Sequence, residues 1–424
     1  MAKRKQEETG SSPSRKRASI QRSETATTLS DSETATLSNL RTLLDLSGLT
    51  SAEDISTRFD GIAKVLLGEV ILRLTDAQLS VTDFEVYELE FYLHKDGCHE
   101  DPFTHGTEEQ RKSGNWYFHR PPRRNKEGES SEVRAPTATG GYRGGTRKGM
   151  DLTFGGPVDL PVSDTQIPVT SRFFPQPPSD SSAPPPASER TASNGAQEKV
   201  RGGILLRTIR RVADGKLFSG PSLLVDEILR VSGASNLSAL VTDVWGSNIA
   251  AFPSGITPHG TPSLRLHPKH STTLSQPPTQ IYRSPRVGLE LSHASIPLPS
   301  SDGTQATLTH PRTTYVSRAY RYFVSPTLLT SNGRGHTFLA VYQDLAGKTP
   351  SNKRDVDLAA QLAAITGLKL ATATKYLEEY RASQVSGSLR AFVGPQGKGV
   401  GSSPVSFLRL MGALERCRKA QEHE

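Results

Sequence analysis

Cysteine is nearly absent from this sequence: Cys98 and Cys417 are the only two among 424 residues. Two thiols cannot make a disulfide framework, and their scarcity fits a reducing compartment. Apolar residues are also in short supply, at 34%, against 36 Gly and 29 Pro. So few apolar side chains argue against two full cores and for one folded domain carrying polar tails and insertions. No apolar run approaches the roughly 20 residues that would cross a bilayer. The N-terminal stretch also lacks the apolar segment of a secretory signal, so a soluble, intracellular chain is expected.

What the chain does have is positive charge, a formal +8. Lys and Arg that neutralise phosphates release condensed counterions, so a polyanionic partner is favoured. Lys3, Arg4 and Lys5, then Arg15, Lys16 and Arg17, form two basic clusters across a Ser/Glu/Thr-rich spacer. That is the pattern of a bipartite nuclear import signal, which would place the protein in the nucleus and give it an import receptor as partner. A solvated basic tail is the plainer reading.

Composition divides the chain. Residues 1–35 lack aromatics and read as a disordered basic tail. Leu37–Leu44 and the run through Ile62, Val65, Leu66 and Leu67 have helical spacing, ending at Gly68. Val70–Leu74 and Phe84–Leu93 read as strands, as do Gly203–Ile209, Arg286–Leu289 and Tyr315–Val324. Gly220-Pro221-Ser222 marks a helix start. Segments at about 121–141, 157–199 and 297–311 read as polar surface insertions. From Asp355 to Arg381 the spacing predicts two helices around Gly367, either a helix-turn-helix or a helical hairpin packed on the domain.

Several segments could carry chemistry. Glu88 and Glu90 alternate with Leu89 and Phe91, so both carboxylates share one strand face with Tyr92. Partial desolvation beside aromatics would raise a carboxyl pKa toward the range useful for a general base. The alternative is an exposed polar face on an edge strand. His94, Cys98, His99, His105 and His119 include zinc-ligating types but match no standard ligand spacing, and no metal or other cofactor is expected. Gly114–Arg120, with Trp116, Tyr117, Phe118 and His119, supplies flat faces suited to base stacking, or an ordinary aromatic core strand. The glycine-rich loop at 142–149 offers backbone amides with Arg143, Arg147 and Lys148 for phosphate contact. It lacks the P-loop order, which argues against nucleotide hydrolysis.

The order of these segments resembles the methylpurine (alkyladenine, 3-methyladenine) DNA glycosylases. Ala63-Lys64-Val65-Leu66-Leu67-Gly68 is similar to that family's Ala-x-x-Leu-Leu-Gly, and Val86–Tyr92 to its Val-Glu-Thr-Glu-Ala-Tyr strand. His105 follows in an acidic loop, Gly114–His119 matches Gly-x-Leu-Tyr-Val-Tyr, and Lys148-Gly149-Met150 matches Tyr-Gly-Met. Ile204–Thr208, Gly220–Leu224, Arg286-Val287-Gly288 and Tyr320–Val324 continue the series, collinear from about 60 to 326. Lys148 stands where the family has a tyrosine wedge, His119 where it has a tyrosine, and Gly155 near an asparagine.

The resemblance implies an α+β fold, one domain with a curved antiparallel sheet and flanking helices, which the segmentation above bounds at 36–345; the helical spacing of the tail adds a helical C-terminal extension at 352–424. It implies a metal-free base-excision hydrolase that rotates a damaged nucleotide out of DNA; RNA stays open as a partner. Glu90 would activate the attacking water and Arg207 would hold it, while Tyr92 and His119 sandwich the base and His105 contacts it from the rim. A nucleic-acid-binding protein of the same fold with altered catalysis is the second expectation, and a metal-dependent hydrolase resting on the cluster from His94 to His119 is the third.

Overall fold

The computed structural model describes residues 31–119, 148–158, 200–253, 261–269, 280–299, 305–329, 332–348 and 355–422. The basic clusters at 3–17, Arg143, Arg147 and most of two proposed insertions lie outside these residues.

Two helices come first. In α1 (Asp31–Leu44), Leu37, Leu40 and Leu44 recur at helical spacing and are buried. The helix thus begins inside the stretch expected as a disordered tail. Ser51 caps α2 (Ala52–Lys64), its hydroxyl oxygen accepting from the Asp54 amide at 3.0 Å. A π-helical turn at Val65–Glu69 then delivers the chain to β1 (Val70–Thr75) and the long β2 (Val81–Lys95).

The remaining elements are β3 (His99–Glu100), β4 (Trp116–Phe118), β5 (Met150–Phe154), β6 (Val200–Arg211), β7 (Leu217–Ser219), α3 (Pro221–Val231), α4 (Leu237–Ala239), β8 (Ser263–Pro268), β9 (Tyr282–Ser284), α5 (Gln305–Thr309), α6 (Pro311–Val316), β10 (Arg321–Phe323), α7 (Arg334–Lys348), α8 (Asp355–Thr366), α9 (Leu370–Ser386) and α10 (Pro404–Glu422). The fold is α+β. All named strand pairings are antiparallel in one open sheet of order β4-β5-β6-β2-β1-β8, with β10 on β2 and β9 on β10.

β2 is buried on both faces, and from Leu89 to Leu93 its alternation turns the apolar residues to one face and Glu90 and Tyr92 to the other. Leu89, Phe91 and Leu93 join the first core with α1 and α2, where Phe91 stacks on Phe59 at 4.3 Å. Tyr92 packs against the second, a layer of Phe338, Leu362, Leu377, Phe407 and other side chains from α7 to α10. The register between β2 and β6 slips twice. Val86 pairs with Ile209, Glu88 with Thr208 and Leu89 with Leu206, leaving Tyr87 and Arg207 as extra residues on their strands. Such bulges re-aim side chains, here bringing Arg207 to the acids of β2.

Three expectations change. Tyr315–Val324 is not one strand: Pro311 starts α6, which runs through Tyr315 and Val316, and only Arg321–Phe323 pairs as β10. Arg286–Leu289 is a turn, because Pro285 lacks a donor and Gly288 takes φ +85°. The proposed insertion at 297–311 includes α5, whose Leu308 is part of the second core. α8 and α9 form a packed hairpin, with Leu362, Tyr376, Leu377 and Tyr380 buried. That helical layer takes in α7 and so begins before residue 352.

Candidate functional site

At the centre of the sheet lies a buried set of charges. Glu88 Oε1 accepts from Arg321 Nε at 2.6 Å and from Arg207 Nε at 2.9 Å, and Glu88 Oε2 from the Thr208 hydroxyl at 2.6 Å. Burial pushes the Glu88 carboxyl up, but the fields of Arg321 and Arg207 and its hydrogen bonds prevail, holding it at about 2. Glu88 is thus a fixed anion. It is neither an exposed edge residue nor a carboxyl raised toward neutrality.

Glu90 is fully buried. Its Oε2 accepts from the Tyr92 hydroxyl at 2.9 Å and from Arg207 Nη1 at 3.4 Å, and its Oε1 from the Val287 amide at 2.8 Å. The turn at 286–288 that replaces the expected strand is what delivers that amide. Burial and the adjoining Glu90 charge keep Tyr92 protonated, well above the usual phenol range. Beneath its ring, at 4.5 Å, lies the guanidinium of Arg286, itself paired with Asp101 at 2.5 Å.

Beside these groups opens a cavity of about 580 Å³, lined by Tyr92, His105, His119, Lys148 and Arg207 among others. The size falls within the roughly 300–1,000 Å³ of small-molecule sites. His119 Nε2 meets Asp151 Oδ1 at 2.8 Å. Burial disfavours the imidazolium, but the Asp151 carboxylate outweighs it and the His119 pKa is raised. His105, 4.6 Å from it ring to ring, is shifted the other way by burial and by the charge of His119. Gly149 makes room for this arrangement: a Cβ there would stand 2.7 Å from His119 Nδ1.

Five sequence-derived candidates therefore meet at one cavity, whereas Glu90 does not line it but is buried behind Tyr92, Arg207 and Val287. Tyr117 does not line it but sits behind the imidazoles, its ring 6.1 Å from His105 and 5.8 Å from His119. Lys148 reaches the rim, where Nζ pairs with Asp226 at 2.7 Å. Of the metal-ligating types, His105 and His119 meet at the cavity, whereas His94 pairs with Asp96 and His99 is held between the Leu93 carbonyl and the Tyr320 hydroxyl. Among the described residues no group of three or more His, Cys, Asp or Glu side chains is arranged around a metal-sized site.

The sequence reading missed Asp151, Arg321, Arg286 and His336. Asp151 left one signal, a lone acid in the apolar strand Met150–Phe154. Arg321 and Arg286 stand within segments of the motif series, but nothing marked their ion pairs, since their partners Glu88 and Asp101 lie 233 and 185 residues away.

No helix among the described residues is long and apolar enough to cross a membrane. No family model matches the chain. It is similar to an uncharacterized protein of Acanthamoeba polyphaga mimivirus, 24% identical over 206 residues, which cover 49% of this chain and 68% of the viral protein.

Proposed function

We propose that this chain is a DNA glycosylase-like hydrolase that takes a damaged, flipped-out base into the cavity and cleaves its N-glycosidic bond. The observation that carries the reading is the meeting of Tyr92, His105 and His119 in one cavity with Arg207, which pairs with the buried Glu90 behind it. Flat rings with polar edges suit a flipped base, which is read by stacking and edge hydrogen bonds. As the bond to the base breaks, its electron pair leaves with the base and positive charge builds on the sugar. A fixed carboxylate behind the cavity is suited to stabilise that charge and to accept the proton of the attacking water. His119, carrying its proton at higher pH than an ordinary histidine, is suited to donate toward the departing base. With nuclear import through the basic clusters, nuclear DNA would be the substrate.

A second reading, a nucleic-acid-binding protein without base excision, is favoured by one observation. Glu90 is 0% exposed, and both its oxygens already accept hydrogen bonds. Incubation of the full-length protein with alkylated and deaminated single- and double-stranded DNA separates the two. The glycosylase reading expects release of free base, abolished by Glu90→Gln with DNA binding retained. No release across the whole panel leaves the binding reading.

A further inference from the structure

Part of the cavity wall is built from segments beyond residue 326, where the family resemblance ends. The stretch 332–336 opens α7, and 401–404 opens α10; both line the cavity, as does the start of α3 at 220–223. Three helix N-termini thus meet one cavity. Each offers N–H groups with no acceptor inside its own helix and the positive end of a helix dipole. Gly335 permits the close meeting of α7 and α10, since a Cβ would lie 2.8 Å from the Pro404 carbonyl oxygen.

Two further observations point to an anion. No Asp or Glu stands among the described lining residues, whereas Lys148, Arg207 and Arg334 do. Asp226 engages Lys148, and Glu88 and Glu90 engage Arg207, so the helix starts carry much of the attraction. His336, at 2% exposure, lines the cavity with its ring stacked on Phe407 at 3.5 Å. Among the described residues neither of its ring nitrogens has a well-formed hydrogen-bond partner, although the Arg286 carbonyl lies where it favours the protonated form. Buried polar groups are nearly always paired, so His336 is poised for a ligand.

We propose that the first turns of α7 and α10, with Arg334 and His336, bind the phosphate ester of a nucleotide whose base lies among Tyr92, His105 and His119. This deepens the reading of the cavity as a base pocket and rests on it. Burial and the fields of Arg321 and Arg207 hold His336 well below the usual imidazole pKa. It therefore meets phosphate as a neutral N–H donor, while Arg334 supplies the charge.

Calorimetric titration of the full-length protein with deoxyadenosine, deoxyadenosine 5′-monophosphate, inorganic phosphate and a short single-stranded oligonucleotide tests this. At least one phosphate ester should bind about tenfold more tightly than the nucleoside. Arg334→Ala and His336→Gln should each remove that gain and leave nucleoside affinity unchanged. A gain with the monophosphate identifies free nucleotide as a source, and a gain confined to the oligonucleotide identifies a strand phosphate. Phosphate binding without nucleoside binding would keep the phosphate site and remove the base pocket. Equal affinity for nucleoside and both esters, or a gain that survives in both folded variants, overturns the proposal.

Discussion

Glu88 and Glu90 stand two residues apart on one strand face, yet their surroundings give them different work. Glu88 balances two buried guanidinium groups, Arg207 and Arg321. Glu88→Gln takes from Arg321 its anion and from Arg207 one of two, Glu90 being the other, and should cost about 3–5 kcal/mol in urea denaturation. The pH dependence has a definite sign. Because the folded pKa is depressed from 4.5 to about 2, the stabilisation is complete above the ordinary value and disappears as pH falls through about 2. His119 behaves in the opposite way. Its folded pKa lies above the ordinary 6.5, so the stability it gains from Asp151 is full below 6.5 and declines as pH rises through the folded value. Asp151→Asn should lower the His119 pKa in an NMR titration and cost about 1–3 kcal/mol at pH 6. An unchanged titration would mean that Asp151 does not set the charge of His119. The shared strand face of the two acids was legible from alternation. Their different roles were not, because those depend on arginines distant in sequence and on a bulge that no spacing rule specifies.

At the level of elements, legibility followed periodicity. β1, β2, β6, α8 and α9 carry long, regular patterns, and the structure has strands and helices there. Tyr315–Val324 misled because its aromatic and β-branched composition suits a strand, whereas Pro311 had already set a helix in motion. α10 falls within the helical extension expected at 352–424 but no spacing pattern was read for it, and its role comes from contact. Gly412 lets it lie against α9 so closely that a Cβ would fall 2.6 Å from the Tyr380 carbonyl oxygen, while the Ser383 hydroxyl donates to the Arg409 carbonyl at 2.6 Å. Gly412→Ala must push the two helices apart and should cost about 1–3 kcal/mol by chemical denaturation. Since α10 begins at the cavity wall, the same change should weaken monophosphate binding. Wild-type stability in this variant would show that the interface yields without strain.

For the whole molecule, the question is whether the C-terminal helices are an appendage or half of the structure. The second core draws Phe103, Leu289, Leu291 and Leu308 from the sheet-bearing part and Phe338, Leu339 and Val341 from α7, and covers them with α8, α9 and α10. Fully burying each such side chain contributes about 1.5–3 kcal/mol. Exposing several of them together approaches the roughly 5–15 kcal/mol by which a typical domain is stable. Ending the chain after Lys348 would also remove Tyr376, Gly401, Ser402 and Pro404 from the cavity. The truncated protein should therefore lose cooperative unfolding, bind a hydrophobic dye such as ANS, and fail to bind the monophosphate. A truncated chain that unfolds cooperatively and binds deoxyadenosine like the full-length protein would instead make residues 355–422 a separable extension, and their part in the cavity dispensable for the base. Composition alone favoured a single core, because 34% apolar residues argue against two independent ones. The fold reconciles that shortage with two cores by joining them at β2, which gives Leu89, Phe91 and Leu93 to the first and sets Tyr92 against the second.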